Sequence, residues 1–141
     1  MNFVDFAIVG QNIDLEEVSN TLNITPRHTY KKGDLYYDKI AKHSGTYIED
    51  GWSFNIEIEN IDETEEKLFE VVNLLHKNKE YIQQLSNVHD VTLWVTIYQD
   101  SCQYHLRFSK NVLSKISELG IDAGITCMQL QEFYTGAYLS N

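Results

Sequence analysis

Cys102 and His105 stand three residues apart, a spacing that could hold a metal or pair a thiolate with an imidazole. Either chemistry needs both side chains aimed at one point. QYHLRF (103–108) reads as a strand paired with the preceding one through a DSC turn, and an offset of three along a strand sends side chains to opposite faces. Only a turn geometry would bring the two together. The histidines at 28, 43, 76, 89 and 105 form no HExxH, and the chain has no CxxC and no GxSxG. No catalytic residue, metal or cofactor is called for on this basis. Cys127 alternates with Ile125 on a final apolar strand, which predicts a buried, inert thiol.

Carboxylates are the next candidates. Residues 49–70 carry nine acids and one lysine. Glu57 and Glu59 would share one face of a strand, about 7 Å apart. An exposed strand face gives little burial to shift a pKa, so acid/base catalysis is a weaker reading than a docking surface for a basic partner. A plainly solvated face is the simpler alternative.

The opposite charge gathers in residues 27–43, where Arg27, Lys31, Lys32, Lys39 and Lys42 face only Asp34 and Asp38. That net of +3 leaves −13 on the rest of a chain whose total is −10. Thr25-Pro26 predicts a short turn of helix, because proline suits the first helical position. Its unpaired N–H groups, beside Arg27 and His28, would suit a phosphate or carboxylate. Tyr30, Tyr36 and Tyr37 lie in the same segment and Trp52 follows, and Arg, Tyr and Trp are the types that anchor interfaces. The binding candidates are therefore Arg27, His28, Tyr30, Lys32, Tyr36, Tyr37, Trp52, Glu57 and Glu59. The alternative is a loop crossing the sheet with its tyrosines packed beneath it.

The net charge disfavours nucleic acid and anionic membranes and favours a basic protein. No apolar run reaches bilayer length, and MNFVDFAIVGQNID does not read as a signal peptide, so a cytoplasmic setting is expected. The C-terminal QEFYTGAYLSN (131–141) carries Phe133, Tyr134, Tyr138 and Leu139, which would cover the core or form a dimer edge.

These residues need a scaffold, and hydrophobic periodicity supplies one. FVDFAIV (3–9) and WSFNIEIEN (52–60) alternate as strands with one wet face, and VTLWVTIYQD (91–100) is bulky on both faces, as a central strand would be. GITCMQL (124–130) reads as a last strand. Asp14 with Glu17 forms a capping box for a helix ending near Asn23, with Ile13 and Val18 as a hydrophobic staple. Asp62 would cap a second helix whose stripe is Leu68, Val71, Val72 and Leu75, with a bend or break at HKNKE (76–80). Ser109 and Gly120 bound a third. Residues 25–51 show no sustained period. LEEVSNTLNI and LSKISELGI echo each other, as two related βα units would, and chance amphipathic similarity explains the match about as well. The fold class predicted is α+β: a single domain, residues 1–141, with a mainly antiparallel sheet, helices on one face and a ferredoxin-like layout.

Five short features occur in an order that resembles a family of small bacterial proteins, domain of unknown function 4279. They are Ile8-x-Gly10, Leu22-Asn23-Ile24-x-Pro26, Lys32-Gly33-Asp34, Trp52 opening a strand, and Glu118-Leu119-Gly120-Ile121. Asn23 stands where the resemblance implies glycine. The resemblance implies one α+β unit over nearly the whole chain and assigns no activity. The functional expectation is a non-enzymatic, acidic protein-binding module, with an immunity (toxin-neutralising) role as its specific form and a small-anion or metabolite sensor built on the basic loop 25–43 as the alternative. A homodimer is compatible with either.

Overall fold

In the computed structural model, residues 2–39, 41–99 and 105–129 are described. Five strands form one mixed sheet in the order β2-β5-β1-β6-β7: β1 is Asn2–Gly10, β2 His28–Tyr30, β5 Asp50–Ile58, β6 Asp90–Gln99 and β7 Asp122–Gln129. β1 is antiparallel to both its neighbours, and only β6 and β7 run parallel. Alternation decides the faces. Val4, Phe6 and Ile8 of β1 pair with Ile56, Phe54 and Trp52 of β5 and with Val95, Leu93 and Val91 of β6. All of them point to the side that the helices cover.

The helices are α1 (Leu15–Leu22), α2 (Thr64–His76), α3 (Lys79–Val88) and α4 (Lys110–Leu119). Asp14 caps α1, its Oδ1 accepting the Glu17 N–H at 3.0 Å, and Asn23 ends it at φ 54°. That left-handed conformation is why glycine or asparagine belongs at this position. Ser109 caps α4 through its Oγ, and Gly120 ends it at φ 69°. The polar run at 76–80 does break the second helical stretch, into α2 and α3. Its start differs from the expectation. Asn60, not Asp62, supplies the cap, accepting the Asp62 N–H into a 3-10 turn, Ile61–Glu63, that leads into α2. Glu65 is drawn off to accept the Ser109 N–H at 3.1 Å.

α2 packs on β1 and β5, α3 on β6, and α4 on β7. One contiguous core results, with Phe6, Trp52, Leu75, Ile82, Leu93 and Leu119 fully buried within it. The α+β class holds, with the helices on one face, and among the described residues the strand order leaves the one parallel pair, β6 with β7, at the end of the sheet.

Two readings of the sequence are corrected. Residues 25–51 are not irregular throughout. They hold β2 and a separate two-stranded hairpin, β3 (Leu35–Asp38) with β4 (His43–Thr46). These strands are three or four residues long, too short for periodicity to register. Nor do residues 105–108 form a strand; Leu106 and Phe108 instead pack against the core before α4 begins. Cys102, the DSC turn and the C-terminal residues 131–141 lie outside the described residues. No helix among the described residues is long and apolar enough to cross a membrane.

Candidate functional site

The segment between α1 and β5 is organised by one buried carboxylate. Asp50, the first residue of β5, is 5% exposed. Its Oδ1 accepts the Lys32 N–H at 2.8 Å, and its Oδ2 accepts the Ile13 N–H at 2.9 Å and the Lys31 ammonium at 3.3 Å. Lys31 also donates to the Ile13 carbonyl at 2.6 Å. The Lys32 backbone N–H, together with those of Ile13 and the Lys31 ammonium, holds the Asp50 carboxyl below its ordinary range against the opposing effect of burial. The acid thus ties the basic loop to the residue that precedes the α1 cap. Asp34 tightens the turn between them, accepting the Lys31 N–H at 2.8 Å, while Gly33 takes φ 92°.

From this anchor the chain rises into the β3–β4 hairpin, whose inner face is aromatic. Tyr30 and Tyr47 stack at 3.7 Å with planes 10° apart, and Tyr36 lies 5.0 Å from Tyr47. His28 Nε2 and Tyr47 Oη are 3.3 Å apart. Two glycines make room. Tyr30 is registered opposite Gly51 and lies across it, so a Cβ there would come within 2.1 Å of its ring. Tyr36 lies over Gly45 in the same way, at 2.9 Å. Burial, then the neighbouring Tyr47 and Glu49, raises the Tyr30 phenol above its usual value.

The outer face of the hairpin is different. Leu35 is 83% exposed and Tyr37 61% exposed. They alternate with Tyr36 along β3, so they project away from the stack. Ile48, just beyond Tyr47, is exposed as well.

The binding candidates separate on this frame. His28, Tyr30 and Tyr36 come together around Tyr47. Arg27 is exposed, its guanidinium 5.6 Å above the Phe3 ring and its Nη1 3.4 Å from the Asn55 amide oxygen. Lys32 is exposed and contributes its backbone to Asp50. Tyr37 is on the outer face. Trp52 is a correction: at 1% exposure it is a core residue, packed edge-on to Phe6 and donating from Nε1 to Ser19 Oγ at 2.9 Å. Alternation on β5 turns it under the sheet, so it cannot anchor a partner. Glu57 is exposed on the face opposite the helices, six residues and roughly 20 Å along β5 from Gly51. Glu59 is exposed too, but β5 ends at Ile58, so the two do not share a strand face.

The helical turn expected at Pro26 does not form. Arg27 donates its N–H to the Ser53 carbonyl at 2.8 Å, and the chain goes straight into β2. The Arg27 N–H, which such a turn would have left free for an anion, is bonded to the sheet. Cys127 is likewise exposed rather than buried; among the described residues, β7 is the end strand of the sheet. Among the described residues, no three of His, Cys, Asp and Glu converge on a position that could hold a metal ion.

The residues that reading the sequence missed are Asp50, Leu35 and Gly51. Asp50 is one of nine acids in a run and carries no local mark. Gly51 does carry one, since a glycine inside a strand often signals close approach of another group.

The family description domain of unknown function 4279 matches residues 1–129. The chain belongs to that family. Its described fold, from β1 to the end of β7, coincides with the matched span, and the family description names no activity. Comparison with curated proteins and with solved structures finds no significant match.

Proposed function

We propose that this protein is a non-enzymatic binding module that docks another protein through the outer face of the β3–β4 hairpin. The observation that carries the reading is the contrast between the hairpin's faces. Leu35 and Tyr37 stand exposed on a support that is already fixed by the tyrosine stack and the Asp50 anchor. Exposed large apolar side chains on a preorganised element lose little freedom on binding, and aromatic residues often anchor interfaces. Nothing in the hairpin's own packing needs them outside.

The net charge of −10 favours a basic partner, with association steered over distance. A toxin-neutralising, immunity-type role in the cytoplasm fits that chemistry. An anion-sensing role draws less support, since Lys31 already uses its ammonium on Asp50 and the Ile13 carbonyl.

The test is a capture experiment with the wild type and with a Leu35→Asp, Tyr37→Asp double variant, followed by calorimetry on the captured protein. A basic protein bound by the wild type and lost with the variant is expected. Its binding should weaken at ~0.5 M salt, where the screening length is roughly 4 Å. Equal capture by both chains, or by neither, would count against the hairpin.

A further inference from the structure

The helices pack on one face of the sheet, and the opposite face has a pattern of its own. Register sets Asn55, Asp5, Trp94 and Gly124 in one row across β5, β1, β6 and β7, with Glu57, Phe3, Thr96 and Thr126 in the next. Trp94 is 39% exposed and lies across Gly124, where a Cβ would come within 2.4 Å of the indole. The ring is thus laid against the sheet. Beside it, Asp5 accepts the Thr96 hydroxyl at 3.0 Å through Oδ2. Among the described residues, the Asp5 Oδ1 takes no hydrogen bond, no lysine or arginine pairs with Asp5, and the Trp94 Nε1–H has no acceptor.

The chain itself shows on this face how a guanidinium is held. Arg27 reaches over Phe3, 5.6 Å from the ring centroid, with its Nη1 3.4 Å from the Asn55 Oδ1. One row on, Trp94 and Asp5 offer the same two groups, an aromatic ring and an oxygen acceptor. Both are stronger here, since indole is the best of the rings for a cation and Asp5 carries a charge. Asp5 and Trp94 stand directly opposite each other, with Cα atoms about 5 Å apart, so one planar cation can lie on the ring and reach the carboxylate.

We propose that this face binds an arginine side chain from an extended segment of a basic partner, with the guanidinium stacked on Trp94 and paired with Asp5. Charge selects the occupant. The strand residues of this face include Asp5, Glu57, Asp90 and Asp122 and no lysine or arginine. These acids repel a phosphate-bearing ligand, and a neutral one gains no attraction from them. Arginine suits the site better than lysine, because its planar group stacks and hydrogen-bonds at once. The platform shares no residue with the outer face of the hairpin, so a peptide probe tests it whatever the hairpin binds.

The probe is a capped octapeptide of alternating arginine and serine, which in extended form presents its arginines to one side. Its partner in the test is the same peptide with citrulline, of equal shape and no charge, in place of arginine. The chain has two tryptophans, and Trp52 is buried with its Nε1–H on Ser19, so the two indole N–H signals in a nitrogen–proton NMR spectrum separate the platform from the core. The arginine peptide should move the Trp94 signal and leave that of Trp52 in place, and the citrulline peptide should move neither. Asp5→Asn keeps an oxygen for the Thr96 hydroxyl, so circular dichroism should report an unchanged fold, and it should weaken binding roughly fivefold or more. Glu66→Gln removes the same charge from an exposed position on α2, on the helix side, and should weaken it less than about twofold. A Trp94 signal unmoved by the arginine peptide up to roughly 5 mM would overturn the proposal. So would an equal response to the citrulline peptide, a comparison that needs no variant. Equal losses in Asp5→Asn and Glu66→Gln would do the same, since they would leave only the overall field. A response to a neutral trisaccharide such as cellotriose, with none to arginine, would overturn it too and assign the platform to a sugar.

Discussion

Along the chain, the basic residues 27–43 and the acidic residues 49–70 look like two charge runs of the same kind. In the fold they become different things. The basic run is a knot: its loop is bound by backbone and side chain to one carboxylate, and that carboxylate, Asp50, comes from the acidic run. The acidic run is dispersed. Asp50 is buried, Glu57 sits on the open face of the sheet, Glu65 is tied to the α4 cap, and Glu66 and Glu70 stand outward on α2 across the helix layer. A count of charges in a window gives the field a molecule casts. It does not tell which charges share a surface.

Removing the knot should have the largest effect. Asp50→Ala leaves the N–H groups of Ile13 and Lys32 without their partner, and the loop loses its tie to α1. The melting temperature should fall by roughly 10 °C. Acid should act at the same place. The Asp50 carboxyl titrates lower in the folded chain than its ordinary 3.8. Its contribution is therefore complete above that value and is lost as pH falls through the lower, folded value. A stability profile through the acid range should show this limb in the wild type and lack it in Asp50→Asn. A variant with an unchanged limb would place the acid sensitivity elsewhere.

Gly51→Ala comes next. The added methyl must displace the Tyr30 ring, which also stacks on Tyr47, so the change disturbs the hairpin's support while leaving the Asp50 contacts in place. A loss of about 1–2 kcal/mol in denaturant unfolding is expected. A neutral result would mean that the stack is not fixed by Gly51. Leu35 and Tyr37 supply the contrast. Their double substitution to Asp should leave unfolding within about 0.5 kcal/mol of the wild type, because neither side chain is packed.

How far the fold could be read from the sequence follows from the same physics. The long strands and the capped helices are specified locally, by alternation over seven or more residues and by Asp14, Asn23, Ser109 and Gly120 at their ends. The broken helix at 76–80 was visible because a wholly polar turn cannot face a core. The hairpin β3–β4 was not, since four-residue strands stacked on tyrosines carry no period. The two faces of β5 were plain, but Trp52 was assigned by residue type to a partner when its own alternation already put it in the core. Asp50 was beyond reach, because its role depends on the Ile13 N–H, 37 residues away.

The smallest effect expected is the one that decides what the dispersed acids do. Glu57→Lys and Glu66→Lys reverse charge on opposite sides of the sheet, at exposed positions where stability should hardly change. If the acids act only through the overall field, each should slow association with a basic partner by roughly two- to threefold at low salt. Both losses should vanish together at ~0.5 M. Stopped-flow association rates measure this directly. If one reversal costs tenfold or more and the other nothing, the partner reads a local acidic dock on that face. The acidic run would then resemble the basic one after all, with one residue doing what the window as a whole does not.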